Sequence, residues 1–157
     1  MRAAFLNPNT FPMAKALHGL RYVPAWLQRR GLDFALSRVL ADKRASGELD
    51  FLQGRWVAIQ VRDLGYDWRI SLQGPQIRVE GPWQAAEALV RADAKDFLDM
   101  LAQRVDPDTL FFQRRLEMEG DTELSLAVKN LLDSVDPEKL PGPVRKGIQQ
   151  AADWLAV

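Results

Sequence analysis

From Val57 to Val79 the apolar residues of this chain recur at every second position. Val57, Ile59 and Val61 alternate with Ala58, Gln60 and Arg62. After the turn Leu64-Gly65-Tyr66-Asp67, Trp68, Ile70 and Leu72 alternate with Arg69 and Ser71, and after Gly74-Pro75 come Ile77 and Val79. A side-chain period of two belongs to strands with one buried face, which must be covered by a second layer. Gly81-Pro82 breaks the pattern again, and residues 87–92 read as a fourth strand with Ala88, Val90 and Ala92 facing one way. Three tight connections in succession predict an antiparallel meander.

Around this stretch the period is helical. Residues 32–43 carry the stripe Leu32, Ala35, Leu36, Val39 and Leu40, with Phe34 pointing away from it. Upstream, Asn9-Thr10 followed by Pro12 reads as a helix start, with Met13, Ala16, Leu17 and Leu20 on one face and Lys15 and His18 opposite. Pro24 interrupts, and residues 25–30 read as a further turn of helix before Gly31. Downstream, Asp93 is placed to cap a helix bearing Phe97, Leu98 and Leu101. Residues 116–119 read as a fifth strand, and Gly120-Asp121 ends it and caps a helix striped by Leu124, Ala127, Val128, Leu131 and Val135. Leu132 lies at the edge of that stripe and Leu126 opposite it. A proline-punctuated linker, residues 136–143, leads to a last amphipathic helix striped by Val144, Ile148, Ala151, Ala152 and Leu155, with Lys146, Gln149 and Asp153 on its other face. The expected architecture is α+β: a five-stranded, mostly antiparallel sheet covered on one face by helices.

A chain of 157 residues, 47% apolar and 27% charged, is long enough to build one domain with its own core. It has no cysteine, which excludes disulfides, thiolate metal sites and thiol catalysis. No run of about 18 apolar residues and no secretory leader pattern is present, so a cytoplasmic protein is expected. Charge is unevenly spread. Residues 1–32 contain Arg2, Lys15, Arg21, Arg29 and Arg30 and no acid, a local +5; with a net charge of 0, the remainder carries −5. Two readings stand: a solvated arm that packs on its own domain, or a leader held against anionic lipid or an acidic partner.

Reactive chemistry is scarce. The single histidine, His18, has no acid or serine near it in sequence, which leaves little basis for a triad or a histidine-based metal site. There is no GxxxxGK[ST] loop and no GxGxxG turn after a strand, and no cofactor or metal is expected. Asp106, Asp108, Glu117, Glu119 and Asp121 cluster in sequence, but Glu117 and Glu119 alternate with Leu116 and Met118 on the solvent side of a strand. Asp121 is explained by capping and Asp106-Pro107 by a turn. Arg114-Arg115 adjoins acids that repel phosphate, so nucleic acid is not an expected partner. By contrast, Leu110-Phe111-Phe112 is a bulky apolar run too dense for one strand face, and Phe34 and Leu126 give two helices a second apolar side. These features suit core packing or a cavity for an apolar ligand.

The residues also carry a resemblance. "DWRISL", a glycine turn, "IRVEG" and "ALVRADAKDFLDMLAQRVDPDTLFFQRRLEMEGDTELSLAVKNLLD" resemble the sterol carrier protein type 2 family of lipid-binding domains over about residues 45–135. Within it, "GDTEL" with "VKN" is most similar to a bacterial branch of accessory factors in oxygen-independent ubiquinone biosynthesis. The resemblance implies an apolar tunnel between sheet and helices, and no catalytic role. It implies an isoprenoid quinone or phospholipid ligand, and as partners the U32 peptidase-like iron–sulfur hydroxylases of the quinone pathway. The alternatives are a membrane-lipid trafficking protein and a scaffold without its own ligand. By family analogy the lining candidates are Trp56, Phe97, Leu101, Leu110, Phe111, Phe112, Leu124, Val128, Leu131 and Leu132.

Three segments are therefore expected: a basic amphipathic extension (1–44), the lipid-binding domain (45–135), and a linker with a C-terminal helix (136–157). Met13, Lys15, Leu17, Leu20, Arg21, Arg29 and Arg30 are the candidates for peripheral contact at the inner membrane surface. The ending Leu155-Ala156-Val157 lacks the peroxisomal tripeptide of some eukaryotic relatives.

Overall fold

The computed structural model describes residues 24–140 and 142–155. Helix α1 (Ala25–Val39) and the short α2 (Ala41–Ala45) lead into a 3-10 turn at Asp50–Leu52. The sheet strands are β1 (Val57–Val61), β2 (Tyr66–Gln73), β3 (Gln76–Glu80), β4 (Ala88–Ala92) and β5 (Glu117–Gly120). Helices α3 (Ala94–Leu101) and α4 (Pro107–Phe112) separate β4 from β5; α5 (Thr122–Ser134) and α6 (Gly142–Leu155) follow it.

The sheet has the order β3-β2-β1-β4-β5. Its pairs are antiparallel except for β1 with β4, which run parallel with Val57 opposite Ala88 and Val61 opposite Ala92. The expected meander therefore holds for β1 to β3 and stops there. Gln73 pairs directly with Gln76 across Gly74-Pro75, whereas residues 81–87 carry the chain over the sheet to the free side of β1. That crossing lies on the face opposite the core: Arg69 Nε donates to the Gln84 carbonyl (2.9 Å), and the Glu87 N–H donates to the Trp56 carbonyl (2.9 Å).

Alternation sorts the side chains. Val57, Ile70, Val79 and Ala88 turn to the helices, and Leu72 and Ile77 extend the same face. Leu49, Met100, Leu110, Leu116, Leu124 and Val90 are almost wholly buried in the resulting core. Gly120 ends β5 at φ +89°, and a Cβ there would lie 2.4 Å from the Glu87 carbonyl oxygen, so the chain needs glycine at this close approach.

Three local expectations change. Helix α1 runs unbroken from Ala25 through Gly31, because Leu36 and Val39 pack on the core and offset the lower helix propensity of one glycine. Asp93 stands at the N-cap of α3 but makes no capping bond; its carboxylate takes Arg62 (3.1 Å), and Asp63 accepts the Ala94 N–H (2.9 Å). Asp106-Pro107 opens a helix rather than a turn. Asp106 accepts from the Thr109 N–H (2.9 Å) and hydroxyl (2.7 Å), and Pro107 occupies the first turn, where its missing N–H has no cost.

Candidate functional site

Register aligns one apolar row across four strands. Trp68 of β2 faces Ile59 of β1, which faces Val90 of β4, which faces Met118 of β5. Val90 is fully buried, while Trp68, Ile59 and Met118 are only half-buried. The Tyr66 ring stacks on Trp68 with centroids 4.9 Å apart. Above this face Phe97 from α3 and Leu131 and Leu132 from α5 are also half-buried and pack on the core. Asp121 positions α5 by accepting the Leu124 N–H at 2.8 Å. The result is an apolar layer between sheet and helices whose outer members keep accessible surface.

The expected lining residues divide into three groups. Leu110, Leu124 and Val128 lie in the packed core, with Phe97, Leu131 and Leu132 against it. Trp56, just before β1, and Leu101, at the end of α3, are half-buried. Phe111 and Phe112 turn outward, 42% and 81% exposed, and with Met118 and Leu126 line an external groove of about 420 Å³. Helical winding of residues 107–112 explains the split, since consecutive residues of a helix point about 100° apart, so that of Leu110, Phe111 and Phe112 the first alone faces inward, on the side of the buried Pro107. Sequence reasoning omitted Ile59, Trp68, Ile70 and Met118, although the period-two pattern had already put all four on the buried side.

Of the clustered carboxylates, Asp106, Asp108, Glu117 and Asp121 are occupied structurally, and Glu119 is exposed. The Thr109 hydroxyl and N–H hold the Asp106 carboxyl below its usual range. The Leu124 N–H, with Arg55 beside it, does the same for Asp121. Glu117 accepts from Arg62 and Arg91, each at 2.9 Å, and Asp108 pairs with Lys129. Among the described residues no three histidine, aspartate or glutamate side chains are grouped to hold a metal ion.

Of the candidate membrane contacts, Met13, Lys15, Leu17, Leu20 and Arg21 lie outside the described residues. The Arg29 guanidinium lies 4.6 Å from the Trp83 ring centroid, and Arg30 is exposed. Among the described residues no helix is long and apolar enough to cross a membrane.

Known proteins match this arrangement. Residues 35–133 match the family described as the SCP-2 sterol transfer family. The ubiquinone biosynthesis accessory factor UbiT of Escherichia coli K12 is 43% identical over 136 residues, covering 87% of this chain and 78% of that protein. The solved structure described as "UbiJ-SCP2 Ubiquinone synthesis protein" superposes with a TM-score of 0.58 at 21% identity, over 71% of this chain and 93% of that one. The sterol carrier protein domain 2 of Helicoverpa armigera superposes with a TM-score of 0.50 at 16% identity, over 76% and 86% of the two chains. At these identities the structural likeness is one of fold. The chain belongs to the SCP-2 sterol transfer family.

Proposed function

We propose that the protein is a non-catalytic lipid-binding accessory factor of ubiquinone biosynthesis. It holds polyprenylated quinone intermediates between the sheet and helices α3 and α5, and presents them to the iron–sulfur hydroxylases of the oxygen-independent route. The observation that carries this reading is the row of Trp68, Ile59 and Met118, half-buried under a helical layer whose own Phe97, Leu131 and Leu132 are half-buried too. The 43% identity to the Escherichia coli ubiquinone biosynthesis accessory factor supports the choice of pathway. A prenyl tail is unreactive and insoluble, and burying it stabilises the complex by about 0.8 kcal/mol per CH₂. Binding of that kind needs apolar area and no reacting group, which agrees with carboxylates already engaged in caps and ion pairs. The lining would comprise the inward-facing candidates and the strand row beneath them, with Phe111 and Phe112 at the rim.

Peripheral contact with the inner membrane surface through Met13 to Arg21 would let a lipid pass from bilayer to protein. Deleting residues 1–23 should weaken binding to anionic vesicles while the sheet stays folded; unchanged binding would remove this part of the proposal.

The decisive measurement is mass spectrometry of organic extracts from the full chain, purified from cells making ubiquinone without oxygen. Stoichiometric polyprenylated quinone or precursor is the expected result. Phospholipid alone would replace the reading with membrane-lipid trafficking. A protein that is empty and has no affinity for added isoprenoids would make it a scaffold.

A further inference from the structure

Among the described residues, helix α1 is attached to the domain by one side only. Leu36 and Val39 pack on the core, the helix lies along β3, and none of its residues is fully buried. On the other side Trp26, Leu27 and Phe34 are 57%, 46% and 64% exposed. Trp26, Arg30, Phe34 and Arg38 follow one another at every fourth position, so with Leu27 they share an arc of roughly 120° at 100° per residue. Arg30 and Arg38 are both exposed, and Arg38 lies over the Phe34 ring at 5.1 Å. No acid falls within this arc. Asp33, at its border, is half-buried and accepts from the Ser37 hydroxyl at 3.4 Å.

We propose that the Trp26–Arg30–Phe34–Arg38 ridge of α1 is a docking surface for a partner protein presenting an acidic groove with apolar pockets. Aromatic rings and guanidinium groups alternate along one line, so a matching groove must offer pockets for Trp26 and Phe34 and carboxylates for Arg30 and Arg38. Tryptophan and arginine are the residue types that dominate binding when both sit centrally in an interface. Residues spaced four apart on a helix are the pattern of helix-in-groove recognition. The N-terminal half of α1 has one further contact. The Arg29 guanidinium stacks on Trp83, and the Trp83 ring lies so close over Gly81 that an added Cβ there would come within 2.1 Å of it. This contact ties the N-terminal half of α1 to the 81–87 crossing, with Trp83 itself still 67% exposed.

A bilayer is a poorer match. Helices that lie in an interface carry their basic residues beside the apolar stripe. Here Arg30 stands between Trp26 and Phe34 on the same line, so immersing the rings in hydrocarbon immerses the guanidinium with them. The proposal is independent of which lipid, if any, the core holds.

The test uses the full-length chain in its native host with Phe34 replaced by the photo-crosslinker p-benzoylphenylalanine. Irradiation should give one discrete protein adduct, and peptide mapping should locate the crosslink beside Asp or Glu residues. The double variant Arg30→Glu/Arg38→Glu should lower the yield at least ~10-fold, as expected for reversing charges across an interface. Changing the mapped acids of the partner to arginine should restore it. Trp26→Ala serves as a second disrupting variant, with circular dichroism verifying that each variant is folded. An adduct with phospholipid, an adduct with another copy of this chain, no discrete adduct, or an adduct indifferent to charge reversal would each overturn the proposal.

Discussion

On the outer face of the sheet, Arg91 reaches Gln60 (2.8 Å) and Glu117 (2.9 Å), Gln60 reaches Asp67 (3.2 Å), and Arg69 closes the chain on Asp67. On the inner face, the same strands present Ile59, Trp68, Val90 and Met118, joined by shape alone. Both faces arise from one alternating sequence, yet they are suited to opposite tasks. Directional contacts between neighbouring strands occupy the groups that make them and leave little to offer a ligand. Apolar contacts are not directional, so a half-buried ring or methyl group can exchange one greasy neighbour for another. The proposed lipid site therefore falls on the face with fewer specific interactions, and stability comes from both.

Breaking the inner face should have the largest effect. Leu110→Ala removes a side chain with no solvent exposure from the layer between sheet and helices. It should destabilise the protein by about 2–5 kcal/mol, read as a lower urea midpoint at unchanged slope. A loss well below this would mean that the layer collapses readily or that bound lipid fills the gap. Gly120→Ala should cost about 1–3 kcal/mol, since it forces a Cβ against the Glu87 carbonyl at positive φ; thermal unfolding would measure it. That substitution attacks the strand end where the two faces meet.

Acid should act on the polar connections before it reaches the apolar layer. Asp106 and Asp121 have folded-state pKa values below the ordinary carboxylate range, through Thr109 and through Leu124 with Arg55. The folded state therefore binds fewer protons than the unfolded one. Their contribution is complete above the ordinary value of about 4 and is lost as the pH falls below it through the lowered values. Asp121→Ala should flatten this acid limb in denaturation midpoints taken between neutral and acidic pH; an unchanged limb would mean that other groups govern it. The smallest effect is expected from Arg91→Met on the outer face. A partly exposed ion pair of this kind contributes about 0–1 kcal/mol, and the difference between the two proteins should shrink in high salt.

The strands and the α5 cap were legible because their signals are local. Alternation at Val57, Ile59 and Val61 specifies a strand, and Asp121 after Gly120 specifies a helix start. What was not legible depended on distance. Gly81-Pro82 looks like Gly74-Pro75 in sequence, yet only the second joins adjacent strands. The free edge of β1 that draws β4 away from β3 exists only after β1 and β2 have paired. Asp93 yields its capping role to Asp63 because Arg62, the residue that follows β1, takes the Asp93 carboxylate. The candidate lining was legible as a composition, but the outward directions of Phe111 and Phe112 were not. Leu110-Phe111-Phe112 is equally apolar at all three positions, and only its helical winding separates the one that packs inside from the two that do not.

The parallel pairing of β1 with β4 also sets an order of assembly. Val57 meets Ile70 across a short hairpin, but it meets Ala88 only after the chain has travelled from 57 to 88. Closing the larger loop costs more entropy and is repaid only once the first three strands exist to dock against. β5 pairs with β4 alone, so it completes the sheet only where β4 is in place. Until β4 arrives, the central strand of the finished sheet is an unprotected edge with apolar side chains on one face, the kind of surface that pairs with other chains. The interval between those two closures is when a nascent copy of this protein is most exposed to aggregation.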